Sequence, residues 1–348
     1  MGRLVRFTSP RLAEVVDFDE APVGANDVRL TTLYSGISAG TELTAYRGSN
    51  PYLNSEWDAA RRLFVEGDST NSYPLDAWGY EEVGIVTEIG DDANSELMGR
   101  HVWGTWGHRS SVVRPADWVA ERLMPDGPDP ITGIFAKIGA IALNAVLDAD
   151  IHVGETVVVF GAGVPGQIVA QLARLNGARV ISVDLVPARR ELAERLGASL
   201  TLDPVADDVA ERVRALTANR GADVVIEMSG SYHALQEAIR TVAYGSRVVV
   251  GGFFQGSATP VRLGEEFHHN RVSVIGSQIS GVAPSLQHRW DELRMSSTAL
   301  ELARDGRLDL ASLITHTTPA EDAPAAFELL DTSPEAALQI VLDYRPQS

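Results

Sequence analysis

The sequence predicts an α/β protein in which a doubly wound parallel sheet of the Rossmann type is joined to a β-barrel-like domain. Three observations support this prediction. An apolar strand runs into a glycine-rich turn at 156–166, strand and helix patterns then alternate to about residue 277, and the first 120 residues hold only short strands separated by turns. The 348 residues are too many for one ordinary core and suit two domains.

The first part of the chain shows the period-two alternation of half-buried strands, bounded by turn residues. The predicted strands are Leu4–Thr8, Val28–Ser35, Tyr80–Ile89, His101–Trp103 and Ser111–Val113. A longer segment, Asn50–Asp76, interrupts this series, and the apolar spacing within Ser55–Phe64 predicts a short amphipathic helix. These patterns predict a β-rich, barrel-like domain.

The next part of the chain alternates strands with helices, as a doubly wound sheet requires. The predicted strands are Thr156–Phe160, Arg179–Asp184, Ser199–Leu202, Asp223–Met228, Arg247–Gly251 and Val272–Gly276. The predicted helices are Pro165–Asn176, Pro187–Leu196, Val205–Ala218 and Tyr232–Val242. Six strands with intervening helices make a complete dinucleotide-binding domain, which we place at 138–282.

From residue 283 the chain carries two helical patterns, Trp290–Arg304 and Ala323–Leu330, followed by a strand at Ala337–Leu342. We expect this tail to return to the first domain. The predicted β-rich domain therefore comprises 1–137 and 283–348.

Composition excludes several classes of function. A net charge of −18 argues against a nucleic-acid partner, because phosphate contacts need a surplus of Lys and Arg. The chain has no cysteine, so it has neither disulfides nor thiolate metal ligands. No apolar run approaches the roughly 18 residues of a membrane span, and the N-terminus lacks the apolar stretch of a secretory signal. We therefore expect a cytoplasmic protein that does not contact membranes.

The turn that follows the first strand of the second domain carries the glycine spacing of a dinucleotide-binding site. Gly161 permits the tight turn, Gly163 lets backbone amides approach a pyrophosphate, and Gly166 lets the helix pack close to the strand. Val164 and Pro165 begin that helix, whose N-terminal end favours phosphate.

Asp184 closes the next strand, where its carboxylate is placed to accept both ribose hydroxyls of NAD and to repel the 2′-phosphate of NADP. Arg189 and Arg190 follow one helical turn later, and arginine near this point can favour NADP. Because the acid stands at the strand end itself, the sequence predicts NAD over NADP.

Lys137 is the only lysine among 29 basic residues. An ammonium is compact and can shift its pKa when buried, whereas a guanidinium cannot. Two interpretations stay open: a functional position that arginine cannot fill, or the chance survival of one lysine.

Four segments make the chain similar to the medium-chain dehydrogenase/reductase family over essentially its whole length. They are Gly36–Glu42, Trp78–Gly84, Gly99–Val102 and the glycine turn with Asp184. The resemblance implies a GroES-like β domain, a Rossmann domain, a nicotinamide cofactor held between them, and a homodimer or homotetramer. The phrase at 35–42 is similar to the bacteriochlorophyllide dehydrogenase branch and its sugar-catabolic relatives.

The chain departs from the zinc-dependent members at all three zinc-ligand positions. The cysteine region holds Ser38 and Ala39, the histidine is Tyr80, and the third ligand falls at Ala136 or Lys137. A catalytic zinc needs three nitrogen, sulfur or carboxylate ligands, so we predict a zinc-free member with no bound metal. The alternative is a rebuilt metal site that draws on Glu42, Glu81, His101 or His108.

Without a metal, side chains must manage the alcohol proton. The resemblance implies that Thr41 contacts the substrate oxygen. Tyr80 and Lys137 stand at former ligand positions, so we expect them to face one space, where the ammonium lowers the pKa of the phenol toward neutrality. Glu81 would anchor Lys137 or order water, and His108 would bond a substrate hydroxyl or act as the base. A purely structural role stays open for each.

Further residues are predicted to contact the substrate or the nicotinamide. Trp106 would form an apolar wall of the substrate pocket, beside Ser38. Tyr52 and Trp57 lie in the long segment and would act as a lid over a polar ring, or as an oligomer contact. The nicotinamide contacts predicted from the resemblance are Gly251, Gly252, Phe253 and Ser277, and Ser229 is predicted as a further cofactor-binding residue.

These features predict an NAD-dependent, zinc-independent oxidoreductase that reversibly oxidises a secondary hydroxyl of a sugar, polyol or similar polar ring to a ketone. One alternative is an NADPH-dependent enoyl or quinone reductase. Asp184 argues against this alternative, because its carboxylate would repel the 2′-phosphate of NADPH. The other is a cofactor-binding protein without turnover, which the glycine turn alone does not exclude.

Overall fold

The computed structural model describes residues 1–66 and 71–346. The strands in this part of the chain are β1 (Gly2–Ser9), β2 (Leu12–Phe18), β3 (Asp27–Ile37), β4 (Ser55–Asp58), β5 (Leu63–Glu66), β6 (Leu75–Asp76), β7 (Glu82–Ile89), β8 (His101–Gly104), β9 (Ser111–Pro115), β10 (Thr156–Phe160), β11 (Arg179–Val183), β12 (Leu200–Leu202), β13 (Ala222–Glu227), β14 (Val242–Val250), β15 (Ser273–Gly276), β16 (Ile314–Pro319) and β17 (Gln339–Asp343). The α-helices are α1 (Glu42–Arg47), α2 (Ala116–Ala120), α3 (Phe135–Ala149), α4 (Val164–Leu175), α5 (Pro187–Arg195), α6 (Val209–Leu216), α7 (Tyr232–Thr241), α8 (Glu292–Arg304) and α9 (Ala323–Thr332).

The chain divides into two compact units, Met1–Lys137 with Ile314–Ser348, and Ile138–Leu313. The sequence predicted the same first division. It placed the return to the first domain at residue 283, whereas the segment 283–313 belongs to the second unit.

Helix α8 explains this correction, because it packs against other parts of the second unit. Met295 is fully buried, and a Cβ added at Gly139 would lie 2.6 Å from the Cβ of Ala299. Further along, the amide of Gln171 donates to the carbonyl of Asp309 at 3.2 Å and accepts from the Asp309 backbone N–H at 2.8 Å. The helical pattern alone could not show which unit covers its apolar face.

The second unit holds a six-stranded sheet in the order β12-β11-β10-β13-β14-β15, with every neighbouring pair parallel. Strand β10 is a continuous apolar run that is buried on both faces, as a parallel sheet covered by helices requires. The strand order reverses between β10 and β13, which is where doubly wound sheets bind ligands. The predicted Rossmann fold is confirmed.

The first unit is β-rich, also as predicted. Its six-stranded sheet runs β16-β17-β3-β7-β8 with β9 also paired to β3, and a three-stranded sheet runs β2-β1-β6. Phe7, Tyr46 and Phe327 meet in its core, where the rings of Phe7 and Phe327 lie 4.9 Å apart at 86°. Strand β3 pairs with three other strands and therefore organises the unit.

The predicted helix at Ser55–Phe64 is wrong, because this segment forms an antiparallel hairpin of β4 and β5. Trp57 pairs with Phe64 across the hairpin, with ring centroids 5.0 Å apart. Asp58 accepts a hydrogen bond from the backbone N–H of Arg61 at 2.8 Å and so closes the turn. The packing of Trp57 on Phe64 across the strands and the hydrogen bond in the turn stabilise the hairpin more than the short amphipathic pattern stabilises a helix. Part of the longer predicted loop, 67–70, lies outside the described residues.

One segment corrects the expectation that no apolar stretch is long enough to span a membrane. Pro130–Ala149 has 20 residues and a mean hydropathy of 1.6, which suffices by length and composition alone. However, 67% of its most apolar window is buried inside the protein, as in the core helices of globular domains. The segment includes α3, which the sequence analysis did not predict.

Candidate active site

The carboxyl ends of the parallel strands form one row in the second unit. Phe160 pairs with both Val183 and Glu227, Glu227 pairs with Val250, and Val250 pairs with Gly276. The segments that leave this row carry the residues predicted for the cofactor: Gly161, Gly163, Val164, Pro165, Gly166, Asp184, Arg189, Ser229, Gly251, Gly252, Phe253 and Ser277. The fold therefore brings residues from a 117-residue span of sequence, 161–277, to one edge.

The glycine turn has the geometry that a pyrophosphate needs. Gly161 has a φ of 89°, in the left-handed region that favours glycine. A Cβ on Gly166 would lie 1.7 Å from the carbonyl oxygen of Gly161, so a side chain cannot be accommodated there. Gly163 precedes α4 and offers no side chain to cap the amides of its first turn, which begins with Val164 and Pro165. Close backbone approach and a helix N-terminus without a side-chain cap fit a dinucleotide phosphate.

Asp184 is only 8% exposed and is fixed by two backbone bonds. One carboxylate oxygen accepts from the N–H of Ala162 at 2.7 Å, and the other accepts from the N–H of Val186 at 2.8 Å. Each oxygen keeps lone-pair capacity for a second donor, such as a ribose hydroxyl.

The two arginines that follow Asp184, Arg189 and Arg190, lie in α5. The Arg190 guanidinium donates to the carbonyl of Asp184 at 2.6 Å and forms an ion pair with Asp203 at 3.0 Å. Arg189 lies in the first turn of α5, where its carbonyl accepts from the Gln167 amide at 2.8 Å. The charge of Arg190 is thus already compensated beside Asp184.

Glu227 organises the next loop of the row and was not singled out from the sequence. It is fully buried and accepts from the N–H of Ser229 at 2.7 Å and from the N–H of Gly230 at 3.2 Å. A Cβ on Gly252 would lie 2.6 Å from a Glu227 oxygen. Its signal in the sequence is an acid at the carboxyl end of a strand, directly after the apolar run 224–226; Asp184 likewise follows the end of β11.

Ser277 stands at the end of the row, where its N–H donates to the carbonyl of Val250 at 2.8 Å. The buried amide of Asn144 donates to the Ser277 hydroxyl at 3.3 Å and to the carbonyl of Gly281 at 3.2 Å. Phe253, by contrast, is 40% exposed. These residues are positioned on the predicted nicotinamide side of the edge.

The first unit contains a cluster of three hydroxyl groups, those of Ser38, Thr41 and Tyr80. Strand β3 pairs antiparallel with β7, with Ser35 opposite Glu82, so the residues after β3 lie beside those before β7. The hydroxyls of Ser38 and Tyr80 are hydrogen-bonded, and Oη of Tyr80 lies 3.4 Å from Oγ1 of Thr41. Three side chains from the predicted site therefore meet here.

Behind the hydroxyls lies a buried network of acids and one histidine. In His108, Nε2 lies 2.7 Å from Oε2 of Glu42, and Nδ1 lies 2.6 Å from the hydroxyl of Ser35. Ser35 also donates to Glu82 at 3.3 Å. The other Glu42 oxygen accepts from the N–H of Ser38 at 3.1 Å, which links the network to the hydroxyl cluster.

Burial shifts the protonation of every group in this network. It raises the pKa of Glu42 and of Glu81 well above the usual range, and for Glu81 the nearby carboxyls of Glu42 and Glu82 add to the rise. Burial also raises the pKa of Glu82 to about 7 and lowers that of His108 to about 4. His108 is therefore neutral at pH 7.

Two predicted roles are corrected by this arrangement. Burial and then the charge of Glu81 raise the pKa of Tyr80, which is opposite to the lowering that Lys137 was expected to cause. Lys137 lies in the first turn of α3 and is half-buried. His108 is fully buried with both ring nitrogens engaged, so it contacts Glu42 rather than a substrate hydroxyl.

Trp106 is likewise a core residue instead of a pocket wall. It is 4% exposed, belongs to the apolar cluster with Val28 and Val102, and its indole N–H donates to Thr32 at 2.9 Å. Trp106 lies in the segment between β8 and β9, where no strand period indicates which side chains are buried.

Tyr52 and Trp57 lie apart from the hydroxyl cluster in sequence and form an exposed aromatic group on the hairpin. Both rings pack on Phe64, with centroid distances of 5.4 Å for Tyr52 and 5.0 Å for Trp57. Tyr52 is 38% and Trp57 40% exposed. Their predicted contact with a substrate stays a prediction.

The donors in the first unit do not fit a catalytic zinc ion. Ser38 and Tyr80 bond to each other, and both nitrogens of His108 already have partners. In the ranges 1–66 and 71–346, no group of three or more His, Asp or Glu side chains is arranged to hold a metal ion. Hydroxyl groups are poor ligands for zinc compared with thiolate or imidazole.

The chain is similar to known dehydrogenases in sequence and in fold. Residues 163–297 match the family described as zinc-binding dehydrogenase. The chain is 30% identical over 351 residues to D-guloside 3-dehydrogenase of Escherichia coli strain K12, covering 98% of this chain and 99% of that protein. It is 26% identical to 2-dehydro-3-deoxy-L-galactonate 5-dehydrogenase of Pseudoalteromonas atlantica, covering 91% and 92%. The fold is similar to the solved structure of a Sinorhizobium meliloti 1021 protein bound to NADP, with a TM-score of 0.78, 23% identity and 99% of both chains covered.

Proposed function

The chain belongs to the medium-chain dehydrogenase/reductase superfamily of NAD(P)-dependent oxidoreductases, and from that premise we propose that it oxidises a secondary hydroxyl of a sugar, polyol or similar polar ring to a ketone with NAD. The two relatives described above are named as dehydrogenases of sugar derivatives, which supports this class of substrate. The reaction is reversible, as hydride transfers of this kind are.

The observation that carries the proposal is the row of strand ends with its glycine turn. Gly161 takes the left-handed conformation of the turn, Gly166 lets α4 pack close to it, and both oxygens of Asp184 are fixed by backbone N–H groups. Ser229 and Ser277 are fixed on loops further along the same row. When bound here, an oxidised nicotinamide ring supplies the hydride acceptor.

The proton of the substrate alcohol is assigned to the hydroxyl cluster of the first unit. Ser38, Thr41 and Tyr80 present exchangeable protons beside buried acids, so they can bind and orient an alcohol and carry its proton. Lys137 keeps its proposed place near this chemistry, because its position matches the third former ligand. Because the donors do not fit zinc, we assign no step to a metal.

The preference for NAD rests on Asp184 and Arg190. A 2′-phosphate would approach a buried carboxylate whose oxygens already accept two N–H groups, and the nearby Arg190 is bound to Asp203 and to main-chain carbonyls. Because like charges repel, this carboxylate would disfavour the 2′-phosphate of NADP. The NADP-bound neighbour shows only that this fold accepts the phosphorylated cofactor as well.

A substrate panel tests the proposal. Purified protein is incubated with NAD or NADP and a series of sugars, glycosides and polyols, and NAD(P)H formation is followed by absorbance. We expect NAD-dependent oxidation of at least one cyclic sugar derivative. Reduction of quinones or enones with NADPH, without alcohol oxidation, would instead indicate a reductase. Tight NADH binding with no turnover across both panels would indicate a binding protein.

A further inference from the structure

Helix α3 packs against the strand-end row of the second unit at two of the predicted nicotinamide contacts. A Cβ added at Gly251 would lie 3.9 Å from the Cβ of Ala145. The preceding residue, Asn144, donates from its side-chain amide to the Ser277 hydroxyl at 3.3 Å and to the carbonyl of Gly281 at 3.2 Å. Asn144 therefore lies beside the place where the nicotinamide end of the cofactor is predicted to bind.

The side-chain oxygen of Asn144 lacks a hydrogen-bond donor. The residue is only 1% exposed, and its Oδ1 has no partner within the described ranges 1–66 and 71–346. The carbonyl of Gly281 can only accept, so the NH2 group of Asn144 must face it and Oδ1 must point elsewhere. A buried acceptor without a donor is destabilising, because it has lost its hydrogen bonds to water. We therefore expect a donor from a bound molecule at this point.

We propose that Oδ1 of Asn144 accepts a hydrogen bond from the carboxamide NH2 group of the nicotinamide ring. The carboxamide carries the only N–H donors of that ring, and Gly251 and Ser277 beside Asn144 are predicted to contact it. Asn144 then favours nicotinamide over rings that lack this donor, while its own NH2 group holds Ser277 in place. This assignment rests on the dehydrogenase function proposed above, because it requires a nicotinamide cofactor on the strand-end row.

The same contact orients the ring for hydride transfer. In nicotinamide the carboxamide is attached to the carbon next to the one that accepts the hydride. Holding the carboxamide limits rotation of the ring about its bond to the ribose, so the accepting carbon keeps one position. Asn144 acts by binding and orienting the ring, and it moves no proton.

Gln171 provides a matched control, because its side-chain oxygen already has a donor. It is buried in α4 of the same unit, where its amide donates to the carbonyl of Asp309 at 3.2 Å and accepts from the Asp309 N–H at 2.8 Å. Gln171→Ala therefore disturbs a buried amide of this unit without touching the proposed contact.

The experiment measures binding, so it does not depend on a known substrate. Isothermal titration calorimetry gives the affinities of wild type, Asn144→Ala and Gln171→Ala for NADH, reduced acetylpyridine adenine dinucleotide and ADP-ribose. The acetylpyridine analogue has a methyl group in place of the carboxamide NH2, and ADP-ribose lacks the nicotinamide. We expect wild type to bind NADH about tenfold more tightly than the analogue, the scale of one hydrogen bond to a buried acceptor.

In Asn144→Ala this affinity ratio should fall toward one, because the acceptor is gone. The affinity for ADP-ribose should stay as in wild type, and Gln171→Ala should keep the wild-type ratio. Asn144→Leu has the same branched shape without polar atoms and replaces Asn144→Ala if the smaller side chain leaves the protein unfolded. The same loss of the ratio is expected for it.

A wild-type ratio near one would mean that water satisfies Oδ1, and it would overturn the assignment. An unchanged ratio in the Asn144 variants, or a parallel loss of ADP-ribose affinity, would overturn it as well. A wild type that shows the expected ratio but oxidises no sugar or polyol would contradict the proposed dehydrogenase and leave the Asn144 contact standing. Absence of NADH binding would overturn both.

Discussion

Three glutamates, Glu42, Glu81 and Glu82, are buried together in the first unit, although burying a charge is costly unless hydrogen bonds compensate for lost water. The partners differ for each acid: a histidine for Glu42, the side-chain amide of Gln339 for Glu81, and mostly backbone N–H groups for Glu82. Chemically identical side chains therefore receive different roles from their surroundings.

Glu82 gives a prediction for stability. Its pKa is raised to about 7, so the folded protein binds the proton more tightly than the unfolded chain does between about 4.5 and 7. Stability from this group is complete below that window and is lost as the pH rises through about 7. Glu82→Gln cannot ionise, so its unfolding free energy relative to wild type should rise by about 3 kcal/mol across the window.

The measurement is urea unfolding at a series of pH values. Glu88→Gln is the control, because Glu88 lies on the same strand but is exposed and paired with Arg29. His108 and Glu82 each shift the pKa of the other, so the comparison of wild type with Glu82→Gln reports the titration of this pair. Parallel stability curves for wild type and Glu82→Gln would contradict the assignment.

Asp184 gives a prediction for cofactor choice. Asp184→Ala should weaken NAD binding by about 10- to 100-fold, the cost of losing charged hydrogen bonds, and should weaken NADP much less. Titration with both reduced cofactors measures the ratio. Asp223→Ala is the control, because it removes a carboxylate that accepts from the N–H of Thr156 at 2.8 Å at the opposite edge of the same sheet. An unchanged NAD to NADP ratio in Asp184→Ala would refute the preference.

At the scale of elements, the junction of β10 and α4 depends on one glycine. In Gly166→Ala the new Cβ would lie 1.7 Å from the carbonyl oxygen of Gly161. The backbone of the turn or of α4 would therefore have to move. We expect a loss of about 1–3 kcal/mol in stability, typical of overpacking, together with weaker NADH binding. Gly264→Ala is the control, because a Cβ there meets nothing within 4 Å. Equal NADH affinity in both variants would contradict the inference that cofactor binding depends on the close packing of Gly166 against the Gly161 turn.

The hairpin of β4 and β5 is the second element with a testable role. If its exposed rings stack on a sugar, Trp57→Ala should raise KM by about tenfold, the equivalent of about 1.4 kcal/mol, without changing NADH affinity. Leu63→Ala, exposed on the same hairpin, is the control. A changed molecular mass in solution with an unchanged KM would instead identify the hairpin as an oligomer contact.

Elements with strong periodicity were predictable from the sequence, and elements shaped by their neighbours were not. Strand β10 was predicted with its observed limits, because a continuous apolar run between turns has few alternatives. Strand β16 and helix α3 were missed, since polar threonines mask the first and an apolar run of small residues hides the period of the second. The β4–β5 hairpin shows that a short amphipathic pattern does not decide between helix and strand.

The candidate site was predictable to a similar degree. Glycine spacing and acids at strand ends mark backbone geometry directly, so the sequence was enough to locate the strand-end row at which we propose that the cofactor binds. The placement of His108 and Trp106 did not, because a strand pattern cannot say which side chains face a core that is built from distant segments. Glu42 entered the sequence analysis only as a metal ligand, and its bond to His108 became visible only in three dimensions.

At the scale of the whole molecule, two units supply complementary chemistry. The second unit holds the candidate dinucleotide-binding edge at the strand-order reversal, and in the first unit the hydroxyl cluster lies beside the buried acid Glu42. The family is described by its zinc, yet this chain has no cysteine and its former ligand positions hold a serine and a tyrosine that bond to each other. The central claim is therefore a dehydrogenase whose proton chemistry relies on side chains alone.

Zinc content of the purified, active enzyme tests this claim most directly. Elemental analysis is combined with an assay of NAD-dependent sugar or polyol oxidation before and after treatment with a chelator. We predict far less than one zinc per chain and the same oxidation rate after chelation. One zinc per chain, with oxidation lost on its removal and restored on its return, would contradict the account.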